Sequence, residues 1–362
     1  MKFRSEQAAL AEVLGALARI ASTRNAGTPA LSGVKMTLTG DTLVAISTDT
    51  DISLQFQLAV GGDTDGQGLV SARILNDIVR VMPSGKVTVE VAADNATISA
   101  GRSRFTVPTL NAIEFPRTTA PAGEAVPLSS SLLKSALDQV VLAASRDPQK
   151  HHLSAVVIAS TDKGLQLAAT DGYRLAIRDL PGTSGISDDK FLIPARALAE
   201  LGRLLDMSDE VTVRFSDLDA SFQSPSMTLS TRLINADYPP YESIVPKANP
   251  NKLTVNRTEM LDALRRTGVL SSDMAPVRVH MSSTGARLTV QLTDGTTSTE
   301  DIDATYDGEE ITVGFNGDYL AAGVDACATE EIVIATSAAN KPAVITPVGD
   351  ENYLYLLMPQ RL

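Results

Sequence analysis

A single cysteine, no tryptophan and three histidines in 362 residues narrow what this chain can be. Cys327 has no partner for an internal disulfide and no CxxC or Cys/His companion for zinc, so a reducing cytoplasm is expected. The thiol reads as a small core residue at the end of a helix. His151 and His152 are adjacent, and adjacent side chains in an extended segment point to opposite faces, which argues against shared metal ligation. No apolar run approaches the roughly 18–20 residues of a membrane span, and Met1-Lys2-Phe3-Arg4-Ser5-Glu6 lacks the apolar core of a signal peptide. Phosphate-loop, HExxH and GxSxG motifs are missing too. Asp49-Thr50-Asp51 has the look of a carboxylate pair, but calcium-loop spacing does not continue beyond it, and it reads as a polar strand end. With no clustered set of titratable groups for a hydrolase, the chain is expected to be no enzyme and to need no cofactor or metal.

What the sequence does contain is a repeat. Leu10/Leu133, Leu14/Leu137, Ser22/Ser145, Ala72/Ala195, Arg73/Arg196, Arg80/Arg203, Leu110/Leu233 and Pro116/Pro239 share one offset of 123 residues. Ala136-Leu137 recurs as Ala263-Leu264, and Ser145 as Ser272, each 127 residues on. Repetition on this scale means one domain used three times. Proline-rich polar stretches at Pro121-Ala122-Gly123 and Pro246-Lys247-Ala248-Asn249-Pro250 place the boundaries at 1–123, 124–250 and 251–362.

Each copy opens with a short strand leading into an amphipathic helix. Leu10, Val13, Leu14 and Leu17 follow helical spacing, as do Leu133, Ala136, Leu137 and Val140. The third copy begins with Asn256-Arg257-Thr258-Glu259, which has capping-box spacing. A second helix carries Ile74, Leu75, Ile78, Val79 and Met82 in the first copy, Leu198, Leu201, Leu204 and Leu205 in the second, and Tyr319-Leu320 in the third. Alternating strands such as Val87–Val91, Val211–Phe215 and Leu288–Leu292 fill the intervals. The expected fold is α+β: three tandem strand-rich, two-helix modules, their helices side by side.

The formal charge of -12 excludes a protein that coats nucleic acid with its whole surface. Basic residues are nevertheless placed on the helices. Arg73 and Arg80 lie seven apart on one helix, Arg196 and Arg203 repeat that spacing, and seven residues are close to two helical turns. Acids gather elsewhere, at Glu300, Asp301, Asp303, Asp307, Glu309 and Glu310. Two further segments are unusual. Ala169-Thr170-Asp171-Gly172-Tyr173-Arg174-Leu175-Ala176 sets an Asp-Gly turn in an apolar strand pair, projecting Tyr173 and Arg174 outward. Tyr353 to Leu362 runs apolar almost to its last residue, so something must cover it.

These residues together resemble the bacterial DNA polymerase III beta subunit family, the sliding clamps. The likeness rests on the three-copy design, ATDGYRLA at Ala169–Ala176, Gly101-Arg102-Ser103-Arg104-Phe105 and the terminal Met358-Pro359-Gln360-Arg361-Leu362. It implies a head-to-tail homodimer, a six-domain ring lined by helices, that encircles duplex DNA without sequence preference. It also implies tethering of the polymerase III alpha subunit, the clamp loader, other polymerases and repair proteins. By that resemblance, Arg24, Arg73, Lys150, His151 and His152 touch the duplex. Leu153, Thr170, Gly172, Tyr173, Arg174, Leu175, Pro239, Ile244, Asn316, Tyr319, Pro342, Met358, Pro359, Gln360, Arg361 and Leu362 form the groove for partner peptides. Arg102, Arg104, Phe105 and Val107 would meet Val269, Leu270, Glu300 and Asp303 of a second copy. Tyr173, Ser243 and Gln360 depart from common family residues, which keeps a specialised paralogue with an altered partner or inhibitor groove as the alternative. A monomeric peptide-binding module is a further rival, and it gives the Arg102–Val107 strand no role.

Overall fold

The computed structural model describes residues 1–22, 28–116, 122–183, 190–207, 209–272 and 275–361. The helices among them are α1 (Gln7–Ile20), α2 (Ala72–Val81), α3 (Ser130–Val140), α4 (Ala195–Gly202), α5 (Arg257–Thr267) and α6 (Gly317–Asp325). Their starts obey the repeat: α3 begins 123 residues after α1, and α4 begins 123 after α2. Leu10, Val13, Leu14 and Leu17 are all buried, as the spacing requires. Ile74 is not. Leu75, Ile78 and Val79 face inward, and Ile74, one residue or about 100° away from Leu75, stays 44% exposed.

Asn256 caps α5, its side chain accepting from Thr258 N–H (2.9 Å) and Glu259 N–H (3.1 Å). Asn316 does the same for α6 through Tyr319 N–H at 3.0 Å. Both satisfy N–H groups that the first helical turn leaves without carbonyl partners.

Every copy contributes two antiparallel three-strand ribbons. In the first copy these are Gly33–Thr39, Thr42–Thr48 and Ile52–Ala59, then Lys86–Val91, Asn95–Ala100 and Ser103–Pro108. The second has Ala155–Thr161, Gly164–Thr170 and Arg174–Pro181, then Glu210–Phe215, Asp219–Gln223 and Met227–Arg232. The third has Val277–Ser282, Gly285–Gln291 and Thr297–Ile302, then Glu331–Thr336, Ala343–Pro347 and Tyr353–Leu357.

Ribbons of neighbouring copies fuse. Ile52–Ala59 pairs with Met227–Arg232, making one eight-stranded sheet. Arg174–Pro181 pairs with Tyr353–Leu357, making a nine-stranded one. This fusion explains why the chain divides into two compact units, Met1–Ser130 with Arg203–Leu233, and Ser131–Gly202 with Ile234–Leu362. The second copy lends one ribbon to each. The apolar tail is thereby accounted for: Tyr353–Leu357 lies inside a sheet between Arg174–Pro181 and Ala343–Pro347.

Among the described residues, two ribbons keep a bare side. Ser103–Pro108 ends a five-stranded sheet and Thr297–Ile302 ends a four-stranded one; four of the six residues of the first and three of the six of the second are exposed.

Candidate functional site

The Asp-Gly turn joins strand Gly164–Thr170 to strand Arg174–Pro181. Gly172 has φ +94°, a conformation open to glycine at little cost. Asp171 Oδ1 accepts from Tyr173 N–H (2.9 Å) and Arg174 N–H (3.0 Å). Thr170 Oγ1 accepts from Gly172 N–H (3.1 Å) and donates to the Arg174 carbonyl (2.6 Å). From outside the turn, Tyr238 fixes it: Thr170 N–H donates to the Tyr238 hydroxyl at 3.0 Å. Burial pushes that phenol up to about 12.

Only Tyr173 projects as the sequence suggested, 59% exposed. The Arg174 side chain folds back, 12% exposed, because two partners hold it. Its Nε donates to Asp171 Oδ2 at 2.9 Å, and its guanidinium carbon lies 4.1 Å from the Tyr319 ring centroid. Burial works against its charge, but Tyr355 and Asp171 outweigh this and raise its pKa above the ordinary value. Tyr355 in turn donates to the Tyr319 carbonyl at 2.9 Å, so strand and α6 are locked together.

The tail completes the site. Met358 N–H donates to the Tyr173 carbonyl (2.8 Å), and Gln360 N–H to the Gly314 carbonyl (2.8 Å). Met358 is 40% exposed. Pro342 immediately precedes Ala343, the register partner of Leu357. Leu175 packs in a core with Leu356, Ile234 and Tyr241, with Tyr238 and Val245 at its margin. Pro239 accepts from Tyr241 N–H at 2.8 Å, and Ile244 stands 48% exposed at the end of the short turn Tyr241–Ile244. Leu153 is buried, with its carbonyl accepting from Ser145 N–H. Arg361 is exposed, and Leu362 lies outside the described residues.

The residues assigned to DNA are less uniform. Arg73 is exposed on α2, its Nε 3.8 Å from Asp77. Arg24 lies outside the described residues. His151 and His152 occupy a 3-10 turn, His151–Ser154, rather than an extended segment, because Leu153 N–H bonds back to the Lys150 carbonyl (2.9 Å). Lys150 itself reaches the Asp-Gly turn: Nζ donates to the Asp171 carbonyl at 3.2 Å and sits 5.0 Å from the Tyr173 ring centroid. Among the described residues no group of three or more His, Cys, Asp or Glu is arranged to hold a metal ion. Cys327 is buried beside α6, and burial raises its thiol to about 12.

The proposed contact strands are accessible. Arg102, Arg104 and Phe105 are exposed, as are Val269 and Asp303, while Val107, Leu270 and Glu300 are half-buried. Glu300 is occupied within its own chain, accepting from Arg266 at 2.8 Å, which holds its carboxyl below the usual range.

Family models for the DNA polymerase III beta subunit match in tandem: the N-terminal domain over residues 1–119, the central domain over 127–240 and the C-terminal domain over 242–361. The chain belongs to this family. A beta sliding clamp of Synechocystis is 29% identical over the full length of both chains, and one of Synechococcus elongatus is 30% identical over 92% of each. The fold is similar to that of the DnaN sliding clamp of Bartonella birtlesii bound to griselimycin, with TM-score 0.92, 29% identity and full coverage of both chains. The Pseudomonas aeruginosa clamp bound to the same compound gives 0.91 at 26% identity, again over 100% of both chains. This protein is thus a sliding clamp of DNA replication, a non-catalytic processivity factor, built from three clamp domains. Among the described residues no helix is long and apolar enough to cross a membrane.

One relationship escaped the sequence reading although its letters were in view. Thr48-Asp49-Thr50, Thr170-Asp171-Gly172 and Thr293-Asp294-Gly295 recur at offsets of 122 and 123 residues. In the first copy Asp49 Oδ1 accepts from Asp51 N–H and Ile52 N–H, Thr48 Oγ1 accepts from Thr50 N–H, and Thr50 has φ +85°. The expected polar strand end is a turn, built by the Thr48 and Asp49 side chains. In the third copy Asp294 accepts from Thr296 N–H at 2.9 Å, and Gly295 has φ +89°.

Proposed function

We propose that two copies of this chain close head to tail into a ring around duplex DNA and hold polymerase to it through the groove beside Tyr173. The carrying observation is the pair of bare sheet edges. Within the chain, the strand that follows the Thr-Asp turn of one copy always pairs with the last strand of the next. Among the described residues the third copy's equivalent strand, Thr297–Ile302, has no such neighbour, and neither has the first copy's last strand, Ser103–Pro108. Each edge is the complement the other lacks.

The register transfers as well. Arg174 opposes Leu357, and Ile52 opposes Thr231. Shifted by the repeat offsets, Thr297 would face Pro108 of the second copy, with Glu300 facing Phe105 and Asp301 facing Arg104. Opposite charges across a strand pair favour this pairing over like ends meeting.

The groove suits a short peptide with apolar anchors: Ile244, Pro239, Pro342 and Met358 supply an apolar wall, the buried Leu175 supports it from the core and does not line it, and Thr170, Arg174 and Asn316 supply polar groups already fixed by their own hydrogen bonds. On this reading its occupants are the polymerase III alpha subunit, the clamp loader and other clamp-binding proteins. Duplex DNA is held by Arg24, Arg73, His151 and His152 through phosphate contacts, weak enough to permit sliding because ring closure provides persistence. Lys150, placed on the Asp-Gly turn, serves the groove as much as the duplex. The domains run 1–123, 124–250 and 251–362, and the protein works in the cytoplasm. A specialised paralogue is the second reading, favoured by the Lys150 cover over Tyr173 and by Gln360 in the tail.

Solution mass followed by retention on nicked circular DNA, after loading by a matched clamp loader, tests the proposal. A dimer that stays on circles and leaves once they are linearised supports it. A monomer, or retention indifferent to DNA ends, overturns it.

A further inference from the structure

The two bare edges differ in how their charges are held. On the first copy's edge, Arg102 and Arg104 have no ion-pair partner among the described residues. The acids of the third copy's edge do. Arg287 stands directly opposite Asp301 where Gly285–Gln291 pairs with Thr297–Ile302, and its fork grips both carboxylate oxygens, Nε donating to Oδ1 at 2.6 Å and Nη2 to Oδ2 at 3.3 Å. From α5, Arg266 Nη2 donates to Glu300 Oε2 at 2.8 Å. Each guanidinium holds its carboxylate below the usual range.

Side chains alternate along a strand, so these two acids lie on opposite faces of the sheet. The Asp301 side chain is 68% exposed and that of Glu300 24%. In the register transferred from the internal junctions, Asp301 faces Arg104 of a second copy and Glu300 faces Phe105. Across one face of the sealed sheet the order is then Arg287, Asp301, Arg104. Two guanidinium groups flank one carboxylate, the one from the same chain is already seated, and like charges brought this close oppose the pairing. On the other face an aromatic ring would cover Glu300, and a covered carboxylate is tolerated only while it keeps a partner.

We infer that Arg287 is a built-in brake on ring closure: it holds Asp301 within its own chain and must yield before Arg104 of a second copy can take that carboxylate. Arg266 acts in the opposite sense, keeping Glu300 paired when the seam covers it. Arg287 has room to withdraw, because it lines a cavity of about 550 Å³ whose wall also carries Glu259, a carboxylate without a side-chain partner among the described residues. The inference rests on the head-to-tail ring reading above. Its consequence is a seam weaker than its charges alone would make it, in a ring that must open to take up DNA.

The test uses the full chain. Fluorescence-detected sedimentation over a dilution series compares the wild type with Arg287→Gln, Arg266→Gln, Asp301→Asn and the double variant Arg287→Gln/Asp301→Asn, with melting curves on the same samples to verify folding. An exposed ion pair is worth up to about a fivefold change in an equilibrium, and a two-copy ring has two seams. Arg287→Gln should therefore lower the dimer dissociation constant by about fivefold or more, and high salt should shrink that gain. In the Asp301→Asn background the same substitution should change nothing, because no carboxylate is left to compete for. Arg266→Gln should raise the dissociation constant by about tenfold or more, since it leaves a covered carboxylate alone. Arg287→Gln no tighter than wild type, a gain that persists beside Asp301→Asn, or Arg266→Gln as tight as wild type overturns the inference and leaves the ring standing. A wild type that stays monomeric at every concentration overturns the ring reading, and the brake with it.

Discussion

The main-chain N–H of Met358 donates to the carbonyl of Tyr173 at 2.8 Å, and the N–H of Arg232 donates to the carbonyl of Asp51 at 2.9 Å. The two bonds occupy the same place in two junctions of the repeat. At the first, the Arg174 guanidinium, next in the chain, stacks on the Tyr319 ring at 4.1 Å from its centroid.

Removal of residues 358–362 leaves strand Tyr353–Leu357 intact between its neighbours but strips the wall from the turn. Binding of a fluorescent peptide rich in Gln, Leu and Phe should disappear while the light-scattering mass stays unchanged. A fall in mass would make the tail part of the assembly instead.

Arg174→Ala leaves the Asp171 carboxylate without its guanidinium and uncovers the Tyr319 ring. Loss of a hydrogen bond to a nearly buried charge costs about 1.5–3 kcal/mol, so chemical denaturation should show that drop together with weakened peptide binding. Tyr173→Ala, removing an exposed ring, should change stability by no more than about 0.5 kcal/mol and act on the peptide alone.

Thr50 holds a left-handed backbone, φ +85°, where its counterparts are Gly172 and Gly295. A β-branched residue there is strained by about 1–3 kcal/mol, and glycine's greater freedom when unfolded takes back roughly 0.5–1 of any gain. Thr50→Gly should therefore raise the melting temperature. Gly172→Thr should lower it.

Exchange of Arg102 and Arg104 for Glu places like charges opposite Asp303 and Asp301 in the transferred register. Sedimentation should show weakened self-association, recovered in part at high salt, where exposed charges are screened beyond about 10 Å. Peptide binding should persist in the separated subunits.

Burial raises Tyr238 to about 12 and moves Tyr241, Tyr353 and Tyr355 upward as well. An unfolded tyrosine loses its proton near pH 10 and a buried one later, so the folded state binds more protons above that point. Stability is then full below about pH 10 and declines as pH climbs toward 12. Melting curves from pH 8 to 12 check this. Cys327, also raised to about 12, should resist maleimide in the native state and react on unfolding.

Much of the fold is legible in the sequence. Offsets of 123 and 127 put the helix starts at Ser130, Ala195 and Arg257, because amphipathic spacing is a local property of the chain. The placement of Lys150 over Tyr173 is not, since it depends on how the His151–Ser154 turn is docked, and docking is set by tertiary packing. The inward fold of Arg174 escaped for the same reason: nothing beside it in sequence announces Tyr319. The fusion of ribbons into two large sheets also lies beyond local pattern, as a strand edge offers unpaired N–H and C=O groups that do not by themselves name the distant strand that will meet them.

Two bare, complementary edges on one chain carry a liability that a finished ring conceals. A head-to-tail contact has no built-in stopping point: copies add end to end until the rotation between them brings the first back to the last. The same Ser103–Pro108 and Thr297–Ile302 strands that would seal a dimer would, after any change that opens the angle between neighbours, seed a filament. Fibre formation by variants far from either edge is the signature to watch for.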